Sequence, residues 1–200
     1  VIYTPKYYLE QPGSERVIKL VKTYNFATMI VTRLGAPVIS HLPFHYVADD
    51  GANGTLYGHM AIANQQARDL KGGADVTVIF QGPHAYISPT WYAPLPDNVP
   101  TWNYAVVHMH GKAEIISDEG EAYRQMQTLV ELHDTAFKLN LSDKDRLALL
   151  SAICVYKIAV EKIDAKFKLS QNRSEFDRGS VIEHLKTGSL LQRETARLME

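Results

Sequence analysis

The residues best suited to holding an anion lie in one eight-residue stretch, KFKLSQNR, from Lys166 to Arg173. Lys166, Lys168 and Arg173 offer cationic donors. Ser170, Gln171 and Asn172 add neutral ones, and the whole set suits a phosphate. A solvated basic loop would read the same way. Among the histidines, His108 and His110 stand two apart in a segment patterned as a strand, so both imidazoles leave one face, as a metal would require. Spacing places no third ligand, and two surface or interface histidines on a half-exposed strand are the favoured account of the pattern, so no metal is assigned. His41 and His45, four apart in a predicted strand, share a face but lie too far apart to share a metal. His59 follows Gly58, and a glycine inside a strand admits close approach of a backbone or a flat ligand. His59 therefore reads either as a ligand contact or as packing. Nucleophilic catalysis finds little support: Cys154, the single cysteine, sits in the apolar run AICVY, and no Gly-x-Ser-x-Gly elbow occurs. Asp49-Asp50 falls in a turn and reads as solvated.

These residues need a scaffold, and the patterning predicts one. Val76, Val78 and Phe80 alternate with Thr77, Ile79 and Gln81; Tyr104, Val106, His108 and His110 alternate with Ala105, Val107 and Met109. Both segments read as half-buried strands. The proline-rich loop between them is framed by Trp91-Tyr92 and Trp102 to Tyr104, apolar surface that must cover a ligand or a partner chain. Earlier, residues 1 to 13 read as an irregular arm, and Ser14 caps a helix with Val17, Leu20, Val21 and Tyr24 on one face. Strands are predicted over Asn25 to Thr32, Pro37 to Val47 and Thr55 to Ala63, with Asn53-Gly54 making a tight hairpin. Asn64 caps a short helix through Leu70. Later, Glu119 to Lys138 places Tyr123, Met126, Val130, His133 and Phe137 on one helical face. Ser142, with Asp145 three residues on, opens another helix. A final strand runs from Val155 to Ile163, the polar stretch from Ala165 follows, and Ser174 and Ser189 cap two closing helices.

Strands joined mainly by hairpin turns, with helices before and after, predict a mainly β (α+β) architecture, an antiparallel barrel with peripheral helices. A parallel doubly wound sheet is disfavoured by turns too short for crossover helices. Gly-rich nucleotide loops are absent. Twenty-one basic against 22 acidic residues leave a net charge of -1, which counts against a DNA-binding role. One cysteine, no apolar run near the ~20 residues that span a bilayer, and no visible secretory leader predict a cytoplasmic protein without a membrane partner.

Five segments carry a close resemblance to a known family: SHLPF (40–44), LYGHMAIAN (56–64), GPHAYISPTWY (82–92), VPTWNYAVVHMHG (99–111) and KFKLSQNR (166–173). Together with the opening YTPKYY they resemble the PaiB family, whose members are described as FMN-binding negative transcriptional regulators. The resemblance covers nearly the whole chain. It implies an antiparallel split β-barrel of the FMN-binding type, one domain over residues 1–200 with helical additions at about 119–154 and 174–200. Such proteins are usually homodimers with flavin sites at the subunit interface.

By similarity to other split barrels, the strand holding Ser40, His41, Leu42 and Pro43 would run beneath the isoalloxazine ring. His59 and Asn64 would lie toward the ribityl-phosphate. Trp102 and Asn103, with Lys166, Lys168, Gln171 and Arg173, would close the site from the second subunit. Pyridoxamine-phosphate oxidases carry an Arg-Lys pair where this chain has Asn64-Gln65-Gln66, so Lys166 or Lys168 would have to substitute across the interface. The implied activity is that of a flavin-dependent oxidoreductase on a small molecule. One alternative is a haem-binding or haem-degrading barrel with His184 or His108 as axial ligand. Another is a ligand-responsive repressor without catalysis, although the Glu119 to Ala152 helix pair does not resemble a groove-reading element. A dimeric scaffold with no bound ligand is a further reading.

Overall fold

Serine 14 opens the first helix as the sequence predicts, its hydroxyl accepting from Val17 N at 3.3 Å. In this computed structural model, which describes residues 2–94 and 96–200, the preceding arm is less irregular than predicted. It contains a 3-10 turn at Lys6–Tyr8 and a two-residue strand, β1 (Leu9–Glu10). The elements that follow are α1 (Glu15–Thr23), β2 (Phe26–Arg33), β3 (Ala36–Pro43), β4 (His45–Val47), β5 (Thr55–Ala61) and α2 (Gln65–Asp69). Next come β6 (Asp75–Ile87), β7 (Thr101–Ile115), α3 (Glu119–His133), α4 (Asp143–Ala152), β8 (Ile153–Lys168), α5 (Glu175–Lys186) and α6 (Leu190–Met199). The chain forms two compact units, one of Ile18–Phe80 and His108–Ile163, the other of Val1–Val17, Gln81–Val107 and Asp164–Glu200. The strands β6, β7 and β8 each contribute residues to both.

The first unit holds a sheet in the order β3-β2-β6-β7-β8-β5-β4. The β2–β3, β2–β6, β4–β5 and β5–β8 pairs are antiparallel. Alternation along β6 and β7 follows the prediction, with Val76, Val78, Phe80 and Met109 buried and His108 and His110 half-buried. One predicted strand is in fact two. At Phe44 the chain leaves β3, donates its amide to Asn25 O at 2.9 Å, and turns its ring into the core against Phe80 and Tyr156. An aromatic side chain that must reach the core cannot also keep the outward register, so His41 and His45 end up on different strands rather than on one face. The β4–β5 connection is also longer than the predicted tight hairpin: residues 48–54 form it. Gly54 there adopts φ +81°, and the Tyr46 ring lies where its Cβ would be.

Asparagine 64 caps α2 as predicted, accepting from Gln66 N at 3.0 Å. Helix α3 ends at His133, short of Lys138; it buries Met126 of the predicted stripe together with Ala122 and Leu129, while Tyr123 and Val130 are half-buried and His133 and Phe137 exposed. Tyr123 is held at the rim instead, because its hydroxyl donates to Leu139 O and accepts from Leu141 N. The buried stripe packs on Ile116 and Val155. Ser142 caps α4, a helix with no buried residue of its own. At Gly111 in β7 an added Cβ would overlap the Ala159 carbonyl oxygen of β8 and crowd Ile158.

In the second unit β8 runs on past Ile163 to Lys168. The segment read as a polar loop from Ala165 therefore begins as strand, with Ala165, Phe167 and Leu169 buried. Lysines placed between these positions gave the strand the composition of a loop. It pairs with β1, Leu9 opposite Lys166. Helices α5 and α6 start at Ser174 and Ser189 as predicted, the second through a reciprocal Ser189–Gln192 capping box. They bury Val181, Leu185, Ala196 and Met199. Among the described residues no helix is long and apolar enough to cross a membrane.

Candidate functional site

The end of β8 and the turn after it place three cations among tyrosines. Lys166, only 8% exposed, donates to Tyr3 O at 2.8 Å, and its ammonium lies 5.4 Å from the Tyr104 ring centre. Lys168 donates to Thr101 Oγ1 and to Trp102 O, and faces the Tyr8 ring at 5.9 Å. Arg173 stacks over Tyr92 at 4.3 Å and reaches Asn98 Oδ1 at 3.5 Å. Tyr8 donates to Asn172 Oδ1 at 2.9 Å. Cation–π contacts of this kind hold the cations in place without neutralising them.

The remaining predicted residues of this unit divide by role. Trp102 is half-exposed beside Tyr86 and His84 and can offer an aromatic face. Asn103 is buried and bonded to Ser170 Oγ and Met199 Sδ. Gln171 accepts from Leu169 N and donates to Phe167 O, so it closes the turn. Both amides position the turn rather than point outward as free donors. The electrostatics favour an incoming anion. Burial pulls the Lys168 ammonium below the usual lysine value, and the charges of Lys166 and Arg173 pull it further the same way. Burial raises the Tyr8 phenol, which the nearby Arg173 partly offsets. Tyr3, Tyr8, Tyr92 and Asn98 were not foreseen as parts of this cluster; the density of tyrosine in YTPKYY was the available signal.

The other unit holds Ser40, His41, Leu42, Pro43, His59 and Asn64. It brings Ser40 and Asn64 together, Asn64 Nδ2 donating to Ser40 Oγ at 3.1 Å. His41 is exposed, its Nδ1 3.1 Å from Thr28 Oγ1. Leu42 and Pro43 are half-buried at the end of β3. His59 lines a narrow cleft of about 10 Å³ with His45, Tyr57, Gln125 and Met126, room for about one water. None of the other five predicted residues lines it. Burial lowers the His59 pKa below the ordinary histidine value. Gly58 has a different use from the one its sequence suggested: the Tyr156 hydroxyl sits 2.8 Å from where a Cβ would be, so what approaches it is a phenol. That hydroxyl is buried with no hydrogen-bond partner among the described residues.

Other candidates resolve simply. Asp50 is not merely solvated: it accepts from the Tyr57 hydroxyl at 2.6 Å, and with burial this pushes the phenol up to about 12. Cys154 is buried and its thiol pKa raised by burial. The His108 and His110 rings are 6.4 Å apart, and His110 Nδ1 lies 3.0 Å from Thr77 Oγ1. Among the described residues no three His, Cys, Asp or Glu side chains converge as a metal would need. His184 stacks on Trp91 at 5.0 Å.

Cations set among aromatic rings suit a flat molecule bearing a phosphate. A family model described as "Putative FMN-binding domain" matches residues 2–162 of this chain. The chain belongs to that FMN-binding family. Its PaiB character is equally clear: it is 39% identical, over 92% of its length and 89% of the relative's, to the protease synthase and sporulation protein PAI 2 of Bacillus subtilis. An uncharacterized protein of Emericella nidulans is 30% identical over 72% of each chain. Among solved structures it is similar to the FAD and heme binding protein from Mycobacterium smegmatis, with a TM-score of 0.64 and 19% identity over 85% of this chain and 78% of that one. It is also similar to the flavocytochrome Anf3 from Azotobacter vinelandii, with a TM-score of 0.65 and 16% identity over 88% and 78%. The fold of this PaiB-family chain is accordingly the antiparallel, flavin-binding type of split barrel.

Proposed function

We propose that this protein binds FMN as a homodimer and acts in the cytoplasm as a flavin-dependent oxidoreductase on a small molecule. The observation that carries the reading is the Lys166, Lys168 and Arg173 cluster, in which the charges acting on Lys168 are two further cations. A phosphate dianion relieves that repulsion, and Trp102 offers an exposed aromatic surface nearby in the same unit. Lys168 and Arg173 would hold the phosphate, with Lys166 reinforcing the field from its buried position. Ser40, His41, Leu42, Pro43, His59 and Asn64 are proposed to serve the ring and ribityl chain, as the family resemblance implies. Flavin, when bound, supplies the hydride chemistry, and the protein contributes placement and electrostatics. Titration of the purified chain with FMN and with riboflavin tests this. Saturable quenching of flavin fluorescence is expected, tighter for FMN. No quenching, or equal affinity for the two, would remove the phosphate site. Sedimentation at the same concentrations tests the dimer.

Haem is the second reading. The Mycobacterium neighbour is described as binding both FAD and heme, and His184 Nδ1 lies 2.8 Å from Ser180 O. An imidazole held through Nδ1 presents Nε2 as a metal ligand. A Soret band that appears with haem and disappears in His184→Ala would favour it. The regulatory role in the family's description would show as a salt-dependent, sequence-selective shift of DNA, which the net charge of -1 does not favour.

A further inference from the structure

A second cleft, of about 310 Å³, opens in the unit that contains β4 and α3. It is lined by Lys22, Thr23, Asn25, Phe44, His45, Tyr46, Leu132 and His133. Its polar lining carries the Lys22 ammonium at the end of α1, the Thr23 hydroxyl, the Asn25 amide, and the rings of His45 and His133. Asn25 Nδ2 and His133 Nε2 lie 3.2 Å apart, which fixes these two groups against each other. Among the described residues no carboxylate lines the cleft. His45 has an unmet requirement, because its Nδ1 is buried without a hydrogen-bond partner among the described residues. That nitrogen is closed to solvent, so what His45 presents to the cleft is the rest of its ring. Its exposed apolar surface comes from Leu132, since Phe44 and Tyr46 are 1% and 3% exposed.

We infer that this cleft binds a small carboxylate with a single apolar ring or branched body, its carboxylate toward Lys22 and the His45 ring and its body against Leu132. The volume stands at the lower end of ligand pockets, enough for a one-ring molecule. The chemistry decides the charge, since cationic and N–H donors face no acid of their own. Lys22 acts on His45 strongly enough to add to the burial that lowers the imidazole's pKa. A ligand carboxylate would reverse that sign of influence. Every lining residue belongs to the Ile18–Phe80 and His108–Ile163 unit, whereas the cation and tyrosine cluster proposed for flavin phosphate belongs to the other. The residues proposed for the flavin ring, Ser40 to Pro43 and His59, share the cleft's unit, but none of them lines the cleft.

Benzoate is the probe. Titrated into the full chain and followed by the imidazole ¹H–¹³C resonances, it should shift His45 and His133 together along one saturable curve. Benzyl alcohol, its neutral counterpart, should not. Lys22→Ala, at an exposed position on the surface end of a helix, should weaken benzoate at least about 5-fold while thermal unfolding stays unchanged. His45→Gln should weaken it to a similar degree. Saturating FMN should leave the benzoate curve where it was. Non-saturating shifts, an equal response to benzyl alcohol, full binding by both variants, tighter binding of inorganic phosphate than of benzoate, or displacement by FMN would each overturn the inference.

Discussion

Asn103 and Ser170 bond each other twice in a buried position: the amide nitrogen donates to the hydroxyl at 2.9 Å, and the hydroxyl lies 3.2 Å from the amide oxygen it donates to. Ser170 meets this geometry with a φ of +62°, the left-handed region that side chains other than glycine's rarely adopt. The pair ties the start of β7 to the turn that carries Gln171, Asn172 and Arg173. Removing Asn103 leaves the Ser170 hydroxyl buried and unpaired, and removing the Ser170 hydroxyl leaves the buried Asn103 amide with the Met199 sulfur alone. Asn103→Ala and Ser170→Ala should each cost about 1–3 kcal/mol in urea unfolding. Ser170→Gly, which loses the same hydroxyl but relieves the backbone, should cost about 1 kcal/mol less than Ser170→Ala. Equal losses would mean that the positive φ is not strained.

The Gly58–Tyr156 contact predicts a rescue. Gly58→Ala should destabilise by about 1–3 kcal/mol, because the new methyl meets a fully buried phenol. Tyr156→Phe removes a buried hydroxyl that has no partner, and should be neutral or stabilising by up to about 1 kcal/mol. In the double variant part of the Gly58→Ala cost should disappear, since the Tyr156 Cζ still lies 3.0 Å from the new methyl. Additive effects in a double-mutant cycle would refute the contact.

How much of this was legible beforehand depended on whether one force dominated locally. The alternation in β6 and β7 and the caps at Asn64, Ser142, Ser174 and Ser189 were readable because burial period and hydrogen-bond chemistry agree there. The break at Phe44 was not, since a single buried ring ends a strand whose flanking residues still alternate. The last turn of β8 was hidden by Lys166 and Lys168. Their stems pack among tyrosines while their composition suggests solvent. For the candidate site, the cations could be named from the sequence, but of the rings that hold them Tyr8 comes from an arm more than 150 residues away and Tyr92 and Tyr104 from the segment after β6 and from β7, and no spacing rule connects them.

Acid should weaken the fold through His59. Burial holds its native pKa below the unfolded value near 6.5, so at mildly acidic pH the unfolded chain binds the extra proton first. Stability is therefore complete above about pH 6.5 and declines as the pH falls from there toward the native value. His45, lowered by burial and by Lys22, contributes with the same sign. Urea midpoints measured at pH 7.5 and 5.5 should drop for the parent chain and drop less for His59→Gln. An identical drop would place the acid sensitivity elsewhere.

Alkali should weaken phosphate binding through Lys168. Its ammonium loses its proton earlier than an ordinary lysine, by burial first and then by repulsion from Lys166 and Arg173. FMN affinity should therefore decline as the pH rises toward 10.5 and before it is reached, while riboflavin affinity stays flat. Lys168→Ala should lower FMN affinity about 10-fold at pH 7.5, on the scale of one charge-assisted hydrogen bond. Its effect on riboflavin should be small. A flat pH profile for FMN would assign the phosphate to other donors.

Where the Ala159 carbonyl lies against Gly111, the backbone leaves no room for even a methyl group. Random mutagenesis with selection for soluble protein should return glycine alone at position 111, whatever happens at the surrounding solvent-facing sites. A residue barred by geometry rather than by chemistry makes a sorting mark: distant chains that keep it share this crossing of strands even if they have exchanged every group that touches a cofactor.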